Sequence, residues 1–199
     1  MRRYIVLVML VLVGCSAQPQ PVSEKAIIEW GWNTPRLQDF PQYTESGRLN
    51  ELPFNGAVID VATPLDERGL SWTLFTDAPV DEALLISLGE EYGDLDWGRY
   101  QHNFLRMNVY PADIAWDDDT AWETIYANAE AWARLANDLG FRGIMLDTEQ
   151  YGDGVTIFDS TVRRSVTSEY AYERGIMFIE AIERGYPDLT VMTTFALTI

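Results

Sequence analysis

The stretch Gly143-Ile-Met-Leu-Asp-Thr-Glu-Gln-Tyr151 decides the fold, because it joins a buried strand to two acidic residues at its end. Side chains alternate along a strand, so Met145, Asp147 and Glu149 share one face while Ile144, Leu146 and Thr148 share the other. We expect the second, more apolar face to contact helices. Both carboxylates would then project into the mouth of a concave sheet.

Four more segments have the composition of buried strands, and helical patterns lie between them. The clearest helix is predicted to begin with Thr120-Ala-Trp-Glu123, a capping box, and to end before Gly140. A second is predicted over 169–184, with Ser168 as its N-cap. The other predicted elements are strands over 26–32, 56–62, 104–110 and 189–197, and shorter helices over 44–52 and 80–90.

Strands that alternate with helices predict an α/β fold with a parallel sheet, either a doubly wound sheet or a (β/α)8 barrel. No Gly-rich phosphate loop follows the first strand, where Trp30-Gly-Trp-Asn-Thr-Pro35 stands instead, and this disfavours a nucleotide-binding doubly wound sheet. Polar and aromatic residues at the strand ends favour the barrel, whose active sites lie on the C-terminal rim. These residues are Trp32, Asn33, Asp60, Asn108, Tyr110, Asp147 and Glu149.

A complete barrel needs about 250 residues. We therefore expect residues 25–199 to be the N-terminal part of a (β/α)8 TIM-type barrel, truncated after about five strands.

The beginning of the chain resembles a bacterial lipoprotein signal. Arg2 and Arg3 precede a short apolar run, and Leu12-Val-Gly-Cys15 resembles the lipobox at which such signals are cleaved. The run is shorter than the about 20 residues that span a bilayer. We predict a signal peptide over 1–14, lipidation of Cys15, and a polar, proline-containing tether over 15–24.

This resemblance implies a lipid-anchored protein of the bacterial cell envelope, at the outer membrane or cell surface. The alternatives are an ordinary secretory signal with a chance cysteine, or an uncleaved apolar helix. Cys15 is the only cysteine of the chain, so the fold uses no disulfide.

The charge balance excludes some partners. The chain carries 31 acidic and 14 basic residues, a net charge of −17, which argues against nucleic acid. His102 is the only histidine, so a multi-histidine metal site within residues 1–199 is excluded. Asp113 and the Asp117–Asp119 run could bind calcium, but we favour an acidic cluster before a helix N-terminus. We expect no metal and no cofactor, and the sequence leaves the oligomeric state open.

The segment Arg142-Gly-Ile-Met-Leu-Asp-Thr-Glu149 resembles the fourth-strand motif of family-eighteen chitinases, Asp-Gly-x-Asp-x-Asp-x-Glu. In that family the final Glu protonates the glycosidic oxygen, and the preceding Asp helps orient the acetamido group of the substrate. The resemblance implies that Glu149 is the proton donor and Asp147 its partner. Arg142 and Met145 replace the first two acids of the motif, which is a departure from the acetamido-assisted mechanism.

The chain is also similar to a clan of retaining glycosidases that place an acid/base Glu after strand four and a nucleophilic Glu after strand seven. That clan usually has Asn before the acid, where this chain has Thr148, and its nucleophile would lie beyond Ile199. Either scheme implies aromatic residues that stack on sugar rings and polar residues that bind hydroxyls. The stacking candidates are Trp30, Trp32, Tyr110 and Tyr151, and the hydroxyl-binding candidates are Asn33, Asp60 and Asn108.

Our leading hypothesis is a membrane-anchored glycoside hydrolase that cleaves an oligo- or polysaccharide, with Glu149 as general acid. A competing hypothesis is a non-catalytic surface glycan-binding lipoprotein on a barrel scaffold, and a third is a doubly wound domain that binds a small ligand. The structural alternative for Asp147 and Glu149 is a role as cap or ion-pair partner. For Trp30 and Trp32 it is filling of the barrel floor.

Overall fold

A computed structural model of the chain describes residues 25–31, 34–110, 114–149 and 168–194. These residues form a curled, five-stranded parallel sheet, a half-barrel in which the strands follow one another in sequence order. The strands are β1 (Ile28–Glu29), β2 (Gly56–Ile59), β3 (Phe104–Asn108), β4 (Gly143–Asp147) and β5 (Thr190–Thr193).

Within the described ranges, five α-helices and two 3-10 turns connect the strands. The helices are α1 (Phe40–Glu45), α2 (Arg48–Glu51), α3 (Glu82–Tyr92), α4 (Asp119–Asp138) and α5 (Ser168–Gly185), and the 3-10 turns are Leu37–Asp39 and Leu70–Trp72. The predicted helices over 80–90 and 169–184 are confirmed to within two residues. The single helix predicted over 44–52 is wrong, because Gly47, with a φ of 72°, separates α1 from α2.

The predicted start of α4 needs a correction. The N-cap is Asp118 and not Thr120, since the Asp118 carboxylate accepts a hydrogen bond of 3.1 Å from the Ala121 backbone N–H. A carboxylate at this position also interacts favourably with the positive end of the helix dipole. The predicted end is confirmed, because Gly140 follows the last turn with a φ of 66°.

The two faces of the sheet differ as the alternation predicts. Leu105, Met107 and Ile144 belong to the main hydrophobic core between sheet and helices, whereas Phe104 and Met145 belong to a small cluster on the inner face. Among the described residues, the helical core therefore lies on one face of the sheet, and the strand order does not reverse. Both features contradict a doubly wound sheet, which reverses at a switch point and carries helices on both faces.

The fifth strand is less buried than predicted. Thr190, Val191 and Thr193 are exposed, since β5 pairs only with β4 in the described part of the sheet. All five strands are shorter than predicted within the described residues, and β1 has only two paired residues. None of the helices in the described ranges combines the length and the apolar character that a bilayer span requires.

Candidate functional site

Three predicted site residues lie side by side at the carboxyl ends of neighbouring strands. Asp60 directly follows β2, Asn108 ends β3 and Asp147 ends β4, and Asn108 stands opposite Asp147 in the strand register. All three have an exposed fraction of 0%. The rim of the sheet is therefore polar but buried, so each side chain needs partners inside the protein.

Asp147 has its strongest described contact with a residue that the sequence analysis did not single out, Arg106 of β3. Arg106 Nη2 donates to Asp147 Oδ2 at 2.5 Å, and its Nη1 donates to the Thr34 hydroxyl at 3.0 Å. The other carboxylate oxygen of Asp147 accepts the backbone N–H of Glu149 at 3.1 Å. The ion pair is almost dry, since the Arg106 side chain is 9% exposed and that of Asp147 is 0% exposed.

Glu149 lies two residues after Asp147 and has a different environment. It is half-buried and borders a cleft of about 1090 Å³, whereas Asp147 is not among the residues that line this cleft. The chain thus places Asp147 at the end of β4, outside the cleft lining, and Glu149 just after the strand at the border of the cleft. The two carboxylates of the predicted pair therefore have different environments.

The cleft also contains aromatic and charged side chains. Trp30 lines the cleft and is 47% exposed, which leaves its ring available for stacking. Tyr100 borders the same space and donates to Glu29 Oε2 at 3.3 Å. Burial and the neighbouring Glu29 carboxylate raise the pKa of Tyr100 to about 12, so its hydroxyl stays protonated at neutral pH.

Trp72, a second residue that the sequence analysis missed, forms part of the cleft wall. Its ring lies 4.3 Å from the Arg68 guanidinium and 5.2 Å from that of Arg106, and Tyr110 packs against it edge-on at 5.7 Å. The Tyr110 ring therefore already packs against Trp72. Its predicted stacking on sugar stays a prediction.

Asp60 and Asn108 belong to one buried hydrogen-bond network. Asp60 Oδ1 accepts the backbone N–H groups of Val61 at 2.7 Å and Ser71 at 3.0 Å, and Oδ2 accepts the Ser71 hydroxyl at 2.5 Å. Asn108 Nδ2 donates to the same hydroxyl at 2.7 Å. Burial raises the pKa of Asp60, and the Ser71 bonds and the Arg36 charge at 3.3 Å oppose this effect. Neither Asp60 nor Asn108 lines the cleft, and their predicted contact with sugar hydroxyls stays a prediction.

Other predicted residues have structural roles or lie outside the described ranges. Asp119 pairs with Arg174 at 2.5 Å, and no cluster of three or more His, Cys, Asp or Glu suited to a metal ion occurs among the described residues. The predicted site residues Cys15, Trp32, Asn33 and Tyr151, together with Asp113, lie outside the described residues.

Comparison with protein-family models found no match, and comparisons with curated proteins and with solved structures found no significant similarity.

Proposed function

We propose that this protein is a lipid-anchored glycoside hydrolase of (β/α)8 type, with Glu149 as the proton donor. One observation carries the proposal. Glu149 follows β4 at the carboxyl edge of a curled parallel sheet and borders a large cleft, with a buried Asp147–Arg106 pair beside it. Enzymes built on parallel barrels have their catalytic groups at this edge.

The chemistry requires a carboxyl group that can protonate a glycosidic oxygen as the bond to the sugar breaks. Glu149 is the member of the acidic pair that a substrate in the cleft can reach. Asp147 accepts the Glu149 backbone N–H and so helps to fix where that residue stands. Trp30, exposed in the same cleft, supplies a surface on which a sugar ring can stack.

The details of the inner face argue against acetamido assistance in this proposed reaction. Met145, which takes the place of the second acid of the chitinase motif, is 1% exposed and packs with Val58 and Phe104. That position is therefore apolar, and Asp147, which matches the acid that orients the acetamido group in that family, is buried in an ion pair with Arg106 and does not line the cleft. We propose a reaction in which the acetamido group is not required.

The test is turnover and binding measured on the same samples. Purified protein would be incubated with neutral, acetamido-bearing and uronate-bearing oligo- and polysaccharides, with new reducing ends quantified and binding followed by calorimetry. We expect release of reducing ends from at least one class. Binding without release would replace the hydrolase with a binding protein, and absence of both would reject any carbohydrate function.

The second candidate, a non-catalytic glycan-binding lipoprotein, has one observation in its favour. Two acids of the motif are replaced by Arg142 and Met145, and a third, Asp147, is ion-paired with Arg106. Only the last acid, Glu149, borders the cleft. A binding cleft needs aromatic and polar groups but no proton donor, so it would tolerate these changes.

Membrane attachment through Cys15 is a separate prediction. We expect the wild-type protein in the membrane fraction and, after detergent phase separation, in the detergent phase. The Cys15→Ser variant loses the acylated residue and should leave the detergent phase, because acyl methylenes supply the membrane affinity. Ser16→Ala is the matched control and should behave as wild type. Retention of Cys15→Ser in the membrane would instead support an uncleaved apolar helix.

A further inference from the structure

Arg106 makes several contacts besides its ion pair with Asp147. Its guanidinium donates to Asp147 and to Thr34, and its backbone carbonyl accepts the Trp132 indole N–H at 2.9 Å. Trp132 is fully buried in α4, so the strand segment that carries Arg106 is fixed from the helix side. The Arg106 side chain has a second restraint, which comes from the side of the cleft.

Trp72 provides that second restraint. Its ring contacts the Arg106 guanidinium, and it also contacts Arg68, which Asp66 holds by two hydrogen bonds of 3.0 and 2.6 Å. A planar guanidinium against an aromatic ring loses few of its hydrogen bonds and gains a cation–π contact. The Arg106 donors are therefore aimed at Asp147 before any ligand enters the cleft.

The chain of contacts continues from Arg106 to Glu149. One oxygen of Asp147 is occupied by Arg106 and the other accepts the Glu149 backbone N–H, so the orientation of the Asp147 carboxylate determines where that acceptor lies. The Thr194 hydroxyl also donates to the second oxygen, at 3.4 Å, so loss of Arg106 removes one of the contacts that set the rotation of the carboxylate. The Glu149 backbone would then lose a fixed acceptor.

We propose that Arg106, supported by Trp72, is a positioning residue that acts through Asp147 to hold the Glu149 backbone at the cleft. The role for catalysis rests on the proposed function, whereas the effect on the Glu149 backbone does not. A misplacement of about 1 Å at a reacting group can cost roughly 10²-fold in rate. Loss of Arg106 should therefore lower kcat more than it changes KM.

The experiment compares Arg106→Met, which keeps the length of the side chain, with Arg106→Lys, which keeps its charge. Arg184→Met is the control, because it removes a 56% exposed arginine that is also paired with a glutamate, far along the chain on α5. The first readout is the Glu149 backbone amide in assigned ¹H–¹⁵N spectra, with its hydrogen-exchange rate. The second is kcat and KM on any glycan that the wild type cleaves.

In Arg106→Met we expect the Glu149 amide to shift and to exchange at least about 10-fold faster, and kcat to fall about 10–100-fold with KM changed less than about 3-fold. Arg106→Lys should recover part of both effects, and Arg184→Met should match wild type. If Arg106→Met fails to fold, Trp72→Leu, with the second restraint removed, should show the same changes to a smaller extent.

An unchanged Glu149 amide in a folded Arg106→Met protein would overturn the proposal, as would equal effects in Arg184→Met. If the wild type cleaves no glycan, the hydrolase proposal fails on its own. The amide comparison still decides whether Arg106 positions Glu149.

Discussion

Replacement of Glu149 by glutamine is expected to lower the rate of glycan hydrolysis by about 10²–10⁴-fold, the range for loss of a general acid. Glutamine has nearly the same shape and keeps the backbone N–H that Asp147 accepts, so the cleft wall should be preserved. What it lacks is a transferable proton. The loss should therefore appear in kcat, with binding of the same glycan retained.

The matched control for this variant is Glu123→Gln, an exposed glutamate of α4 that does not line the cleft. Like Glu149→Gln, it removes one negative charge from a chain whose net charge is −17. It should leave both rate and binding at wild-type values. Initial rates and calorimetric binding constants for both variants give the comparison. Full hydrolysis by Glu149→Gln would show that another group donates the proton, and the role assigned to Glu149 would be wrong.

Most of the fold could be predicted from the sequence because its elements repeat simple periods. The helices over 82–92 and 168–185 follow from the spacing of apolar residues and from polar caps. The alternation in β4 correctly predicted that Ile144 faces the helices and Met145 the inner face. Burial of β5 was predicted wrongly, since apolar composition does not reveal how many neighbours a strand has.

The site could be predicted only in part, because its key contacts join residues that are distant in sequence. Asp147 and Glu149 stand out because they end one buried strand. The partner of Asp147 is 41 residues away, and the Arg106–Asp147 pair depends on the register between β3 and β4. A single arginine in the apolar Phe104–Asn108 strand, on the same face as Asn108, was the available signal. Trp72 lies in a 3-10 turn with no period that would mark it.

The second large effect is expected at Asp60, where the contacts are stabilising. Its carboxylate accepts three hydrogen bonds from Val61 and Ser71 and pairs with Arg36. Asp60 itself has an exposed fraction of 0%. Asp60→Ala leaves buried N–H and O–H donors without acceptors. We expect the free energy of unfolding to fall by about 3–5 kcal/mol, measured by urea denaturation.

The pH dependence of that stability has a definite sign. Burial raises the pKa of Asp60 above its ordinary value of 3.8, so the folded protein keeps this proton at pH values where the unfolded chain has released it. The contribution is therefore fully present below the unfolded pKa and is lost as the pH rises through the folded pKa.

Asp60→Asn, which cannot titrate, should lack this loss, so its stability relative to wild type should increase from pH 4 upward. Asp117→Asn, at an exposed position before α4, should run parallel to wild type over the same range. A parallel course for Asp60→Asn as well would mean that the pKa of Asp60 is not raised in the folded protein, because Arg36 and Ser71 offset the effect of its burial.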